Sequence, residues 1–364
     1  MRRICGRADL WPPAKEVTVK IWKNWRVFAS MGLLISVTLL LEARAQTPPA
    51  VSGKTVAASK GWTAPKTPWG DPDLQGTWTS DDCIGTPMQR PANIGERLYL
   101  TELEIAERET QLARQTENDK QEFLAADTRA GVGPPPHWGE RARRPCKQTS
   151  LVVDPPNGRI PDLTAEARTR RIPEGAGNNN PRPASWEDFS YYIRCITRGV
   201  TGSIFPVIYG NGAQIIQAPG FVTILHEMVH EARVIPLDGS PHSSPNIRTY
   251  MGDARGHWDG NTLVIETTNF LGNKTGLGLN GGGTPTSDAL KLTERYTRTD
   301  ANTIQYEVTI DDPKTYVRPW KVAFPITQEP GYQNFEYACH EGNYAMFDSL
   351  SGARAEEKRE NREQ

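Results

Sequence analysis

Apolar and polar residues alternate with a period of two through much of the second half of this 364-residue chain. The clearest case is Thr303–Asp311, where Ile304, Tyr306, Val308 and Ile310 share one face and Gln305, Glu307, Thr309 and Asp311 the other. That alternation predicts a half-buried β-strand. Similar stretches are Gln214–Gln217, Phe221–Val229, Arg233–Leu237, Thr262–Thr268, Leu290–Arg298, Tyr316–Phe324 and Phe335–His340. Their connections are short and rich in turn formers. Ala218-Pro219-Gly220 joins one pair, and Asp259-Gly260-Asn261 supplies the positive-φ positions of a tight hairpin before Thr262. About eight hairpin-linked strands predict a mainly β fold, an antiparallel meander closing into a barrel over 213–344. A β-sandwich would require crossovers that such short links do not provide. The exception is Gly272–Ser287, whose glycine content suits a lid over one end.

The first half reads differently. Basic residues from Arg2 to Arg26 precede the apolar run Val27–Leu41, and Ala43-Arg44-Ala45 has the small-x-small pattern of a signal-peptidase site. A largely apolar run of fifteen residues falls short of the roughly 20 that a membrane span needs. Residues 1–45 therefore read as a signal peptide cleaved before Gln46, with no stable membrane insertion afterwards and a periplasmic or secreted destination. Residues 46–72 are an extended linker dense in Pro, Thr and Ala. Residues 73–212 hold a strand at Asp73–Thr79, a helix over Ile105–Asp127 opened by a Thr101/Glu104 capping box, and a strand at Thr149–Asp154. Leu163–Arg171 and Trp186–Arg198 read as further helices packing on the barrel, and 345–364 as a polar tail.

Loss of residues 1–45 moves the formal charge from −1 to about −6. A mildly acidic chain lacking a long Lys/Arg run carries no electrostatic footprint for nucleic acid. Of five cysteines, Cys83, Cys146, Cys195 and Cys339 remain. In an exported chain they suit two disulfides, and spacing alone leaves three connectivities open. The pairing expected is Cys83 with Cys146 and Cys195 with Cys339.

Candidate chemistry gathers at three places. His226-Glu227-Met228-Val229-His230 fits H-E-x-x-H, which on a helix gives zinc two histidines and a general base. Gly220 and the β-branched run before it predict a strand instead, where residues four apart lie about 13 Å from one another, too far for one metal. The extended zinc pattern would also put glycine and histidine where Arg233 and Pro236 stand. Zinc held by His226, His230 and Glu266 is thus the alternative, and no cofactor is the expectation. On a strand His226 and His230 share a face, and Glu227 has Arg233 as a possible partner. The second cluster is Arg255, His257 and Trp258, across a hairpin from Glu266. The third is His340 and Glu341 beside Cys339. Glu294, Tyr306 and Trp320 are further inward-facing candidates for contact with a ligand. Gly276-x-Gly278-x-x-Gly281 has no helix after it to bind a dinucleotide, and the Asn273 sequon carries no weight in a chain with a bacterial-type signal.

Gly76-x-Trp78 resembles the G-x-W that opens the first strand of lipocalin-like barrels. Residues 68–79 (PWGDPDLQGTWT), 149–161, 194–199, 256–270 (GHWDGNTLVIETTNF) and 336–346 (EYACHEGNYAM) are similar to segments of a family of exported bacterial proteins. The resemblance spans nearly all of the chain after residue 45. It implies export and a shared fold, and no activity. The function expected is an exported barrel that holds a small, partly apolar or aromatic molecule in its mouth. His/carboxylate acid–base chemistry (hydrolase, lyase or isomerase) is possible there on His226, Glu227, His257, Glu266, His340 and Glu341. Arg233, Arg255, Trp258, Glu294, Tyr306 and Trp320 would contact the ligand. A non-catalytic carrier and a zinc hydrolase are the alternatives.

Overall fold

The computed structural model describes residues 61–120, 142–170, 183–207, 210–272, 277, 286–328 and 331–363. All belong to the unit Gly53–Gln364, so the proposed signal peptide and the glycine-rich 278–285 lie outside the described residues.

Among the described residues ten antiparallel strands form one sheet. They are β1 (Gly76–Thr79), β2 (Val152–Asp154), β3 (Ala213–Ala218), β4 (Phe221–His226), β5 (Ala232–Pro236), β6 (Asp253–Asp259), β7 (Thr262–Thr268), β8 (Lys291–Asp300), β9 (Thr303–Asp311) and β10 (Trp320–Gln328). The order is β5-β4-β3-β1-β10-β9-β8-β7-β6, with β2 added to the first half of β10. Two hairpin meanders, β3–β5 and β6–β10, are thus joined through the short β1, which pairs with β3 on one side and the end of β10 on the other.

The period of two sets the inside. Leu292, Glu294 and Tyr296 of β8 face Ile304, Tyr306, Val308 and Ile310 of β9, and Val322, Phe324 and Ile326 of β10 continue the layer. The sheet curls until its edges meet. A Cβ on Gly256 of β6 would lie 2.7 Å from Leu237 Cδ2 and 2.9 Å from Ile235 Cγ2, so only glycine lets β5 approach there. The β6–β7 hairpin turns on Gly260-Asn261, with Asp259 opposite Thr262. Of these two, only Gly260 takes a positive φ (59°), as in a turn that needs it at the first central position alone.

Several expectations need correction. HEMVH is neither helix nor continuous strand. β4 ends at His226 and the chain then folds into a tight turn, Met228–His230, with Val229 and His230 at φ 64° and 41°. Phe335–His340 forms no strand: Phe335 N–H and the Tyr337 carbonyl bond the Glu227 and His230 side chains, and Cys339 N–H and Glu341 N–H turn back onto the Tyr337 and Ala338 carbonyls. The last strand is Trp320–Gln328, four residues beyond its expected start. Trp186–Arg198 yields a single 3₁₀ turn at Trp186–Asp188. The polar tail is a helix, α3 (Ala345–Glu363), following α1 (Glu102–Asp119) and α2 (Ala165–Thr169). In α1 the capping box holds: Glu104 N–H donates to the Thr101 hydroxyl and Thr101 N–H to the Glu104 carboxylate. Both disulfides join the expected partners, Cys83–Cys146 and Cys195–Cys339.

Candidate functional site

The barrel interior is filled. Trp78, Trp320, Tyr296, Tyr306, Phe205 and Phe324 are all fully buried in it. Among them sits one polar network. Arg233 Nη1 donates to Glu294 Oε1 at 3.1 Å and Nη2 to Oε2 at 2.5 Å, while Nη2 also reaches Thr267 Oγ1 at 3.3 Å. The Tyr296 and Tyr306 hydroxyls donate to Glu294 Oε1 at 3.1 and 3.2 Å. Burial works against the Arg233 charge, but Glu294 outweighs it and holds the guanidinium proton more tightly than usual. Burial, with Glu294 beside them, pushes both phenols well above their ordinary range. Charge and donors are matched within the set, which is how a buried ion pair escapes its desolvation penalty. Arg233, Glu294, Tyr306 and Trp320 are therefore parts of a packed core rather than of an open lumen. The expected Glu227–Arg233 pair does not form.

His226 lies on the same inner face as Val222 and Ile224 and is wholly buried. Neither ring nitrogen has a hydrogen-bond partner among the described residues. Burial, then the Arg233 and Arg198 charges, lowers its pKa to about 3, so the ring is neutral. The next residue faces outward. Glu227 accepts from the Tyr332 hydroxyl and, at 3.3 Å, from Phe335 N–H. His230 Nδ1–H donates to the Tyr337 carbonyl at 3.0 Å, and Asn334 Nδ2 to the Leu225 carbonyl at 3.2 Å. These bonds pin residues 332–337 across the outer wall as a strap, and Cys195–Cys339 ties its end. Under the strap is a groove of about 410 Å³. Its floor is the cross-strand row Thr77, Gln214 and Leu225.

The other candidates do not join His226. Arg255 and Glu266 face each other on the outer wall, where Glu266 pairs with Lys291 and Arg255 Nη1 with Asp253 at 2.8 Å. His257 is exposed on the same side, and His340 and Glu341 are exposed beyond the strap. Strand alternation sends His226 inward and Arg255, His257 and Glu266 outward. The groove under the strap is lined by His226, His230 and Glu336 but by none of His257, Glu266, His340 and Glu341. Glu266 is separated from His226 in the same way, while His226 and His230 both line the groove under the strap, and among the described residues no three potential ligands gather for a metal. Trp258 is half-buried on the inner face of β6, beside the seam with β5.

Two features escaped the sequence reading. His242 Nδ1–H donates to Asp253 Oδ2 at 2.9 Å, and the same carboxylate accepts from Ser243 N–H and Arg255. That pair comes from residues eleven apart with no motif between them. The second is a groove of about 480 Å³ on the outer face of β9 and β10. Its floor is three facing pairs, Thr303/Thr327, Gln305/Pro325 and Glu307/Ala323. Ala323 and Pro325 fall between the parts of β10 that pair with β2 and with β1. Pro325, which has no amide to donate, thus sits where β10 has a ladder on one side only. Residues 82–99 and 144–153 roof the gap. Leu98, Tyr99, Pro145 and Val153 form the walls, with the Cys83–Cys146 disulfide behind them. Arg144 and Lys147 stand at the rim. Pro325 inside a strand and the run Arg143-Arg144-Pro145-Cys146-Lys147 were the available signals.

Comparison with protein-family models, with curated proteins and with solved structures found no match for this chain.

Proposed function

We propose that this protein is an exported binder of a small, partly apolar or aromatic molecule, held in the β9/β10 groove on the outer wall of the barrel. The observation that carries the reading is the groove itself. It encloses about 480 Å³ and is walled by Tyr99, Leu98, two prolines and a disulfide, which falls within the size and composition usual for small-ligand sites. The two disulfides favour an oxidising compartment. No helix among the described residues is long and apolar enough to cross a membrane.

Binding is favoured over acid–base turnover by the state of the candidate groups. A buried, neutral His226 is a weak base, and the Glu227 carboxylate is already occupied by two donors of the strap. The test is a fluorescence titration with the neutral arylamine N-phenyl-1-naphthylamine. The wild-type chain is expected to bind it in one saturable site, and Thr303→Trp, which fills the floor, to weaken binding at least about tenfold. Equal binding by Thr303→Trp would place the ligand elsewhere.

A further inference from the structure

The rim of this groove is electrostatically lopsided. Asp82, the acid nearest Arg144, is largely satisfied already: its Oδ1 accepts from the backbone N–H groups of Arg143 and Arg144 at 3.2 Å each, and its Oδ2 from the Thr327 hydroxyl at 3.0 Å. Arg144 reaches it only at 3.7 Å, and the Arg144 side chain is 72% exposed. Lys147 makes no ion pair with any described residue. In the floor Glu307 is countered by Lys321 at 3.4 Å. Two cations with little or no counter-charge therefore border a groove with apolar walls (Leu98, Tyr99, Pro145, Val153) and a mixed floor, and the acids around them are already engaged.

From this we infer that the ligand of the β9/β10 groove is an amphipathic anion: an aromatic or aliphatic body carrying a carboxylate, sulfonate or similar group that Arg144 and Lys147 hold at the rim. The inference rests on the binding reading above and specifies its chemistry. A neutral apolar molecule would gain the burial against Tyr99, Pro145 and Pro325 alone. An anionic one would add charge-assisted hydrogen bonds, which are shorter and about twice as strong as neutral ones. Arginine offers a planar fork for an oxyanion and lysine a compact point charge, so the pair tolerates more than one anionic head.

The experiment compares two probes that differ in one group: 8-anilinonaphthalene-1-sulfonate and N-phenyl-1-naphthylamine, the same ring system without the sulfonate. The sulfonate is expected to bind about tenfold or more tightly than the neutral amine. Its affinity should fall between about 0.01 M and about 1 M salt, as the Debye length shrinks from about 30 Å to about 3 Å, while that of the amine stays level. Arg144→Glu combined with Lys147→Glu should weaken the sulfonate at least about tenfold and leave the amine within about twofold. Equal affinity for both probes, or equal loss of both in the double variant, overturns the anionic ligand and leaves the binding reading standing. If neither probe binds, both readings fall. Sedimentation of the same samples then shows whether a second copy of the chain occupies the groove.

Discussion

The barrel holds cations in two settings that look alike on paper. Arg233, inside, is buried and belongs to a set with a carboxylate, two phenols and a threonine whose members satisfy one another. Arg144 and Lys147, outside, border a groove and are scarcely countered. An unmatched charge in the interior would cost several kcal/mol, so folding itself requires the inner set to be complete. At the surface water screens the charge, and incompleteness is tolerated. A saturated polar network in a packed core thus speaks for architecture, and an unsaturated one beside a cavity speaks for a ligand.

The sharpest way to break this contrast is to unbalance the inner set. Glu294→Ala leaves Arg233 buried without its counter-charge and should destabilise the fold by about 3–5 kcal/mol in denaturant unfolding. Joint replacement by Arg233→Met and Glu294→Leu should cost less than the single change, since no orphaned charge remains. A loss under about 1 kcal/mol for Glu294→Ala would mean that the network is not what it is taken to be.

His226 gives the next effect, through pH. Its folded pKa lies near 3, while an unfolded imidazole titrates near its ordinary value of about 6.5. Between those values the unfolded chain binds a proton that the folded chain does not. Stability is therefore full above about pH 6.5 and is lost as pH falls toward 3, with a slope from this group of up to about 1.4 kcal/mol per pH unit. His226→Phe should flatten the wild-type stability profile in that window by about this slope, measured as the difference between the two proteins. Parallel profiles would show that the imidazole titrates normally.

The smallest effect is the one that completes the comparison. Lys147→Ala and Arg144→Ala should each leave stability within about 0.5 kcal/mol of wild type, because each removes an exposed, poorly paired charge. If either change unfolded the protein, the rim would be scaffold like the core.

Local rules carried much of the fold. β9, the Gly260 hairpin and the Thr101 capping box follow from residues within a few positions of each other, and each stands where the pattern puts it. What the pattern could not supply was long-range partnership. Four residues, Gly76–Thr79, bridge β3 and β10, which lie far apart in sequence from each other and from them, and nothing local in GTWT names either as a neighbour. Alternation likewise defines two faces without saying which is inner, so His226 and His257 looked equivalent in sequence and lie on opposite sides of the wall. Val229 shows a different limit. A β-branched residue at positive φ is disfavoured locally, and the turn there is held instead by Glu227 and His230 binding the distant strap. The β9/β10 groove was hidden because its residues come from five separated stretches, with only a proline in a strand and a short basic run to mark them.

The seam at Gly256 gives this barrel a character that a fully laddered one lacks. β5 and β6 end the hydrogen-bonded order of the sheet and meet through Ile235, Leu237 and a bare Cα. Topologically the molecule is a rolled ribbon with a zip that has no teeth. Along the seam itself the rims meet through apolar contacts, which weaken on cooling or under pressure. The polar ties across it are side-chain ones, Arg233 to Thr267 and Glu294, and His242 to Asp253. Cold and pressure should therefore part the wall along this line first, with amides of β5 and β6 exchanging with solvent while the centre of the ribbon, β9 and β10, stays protected.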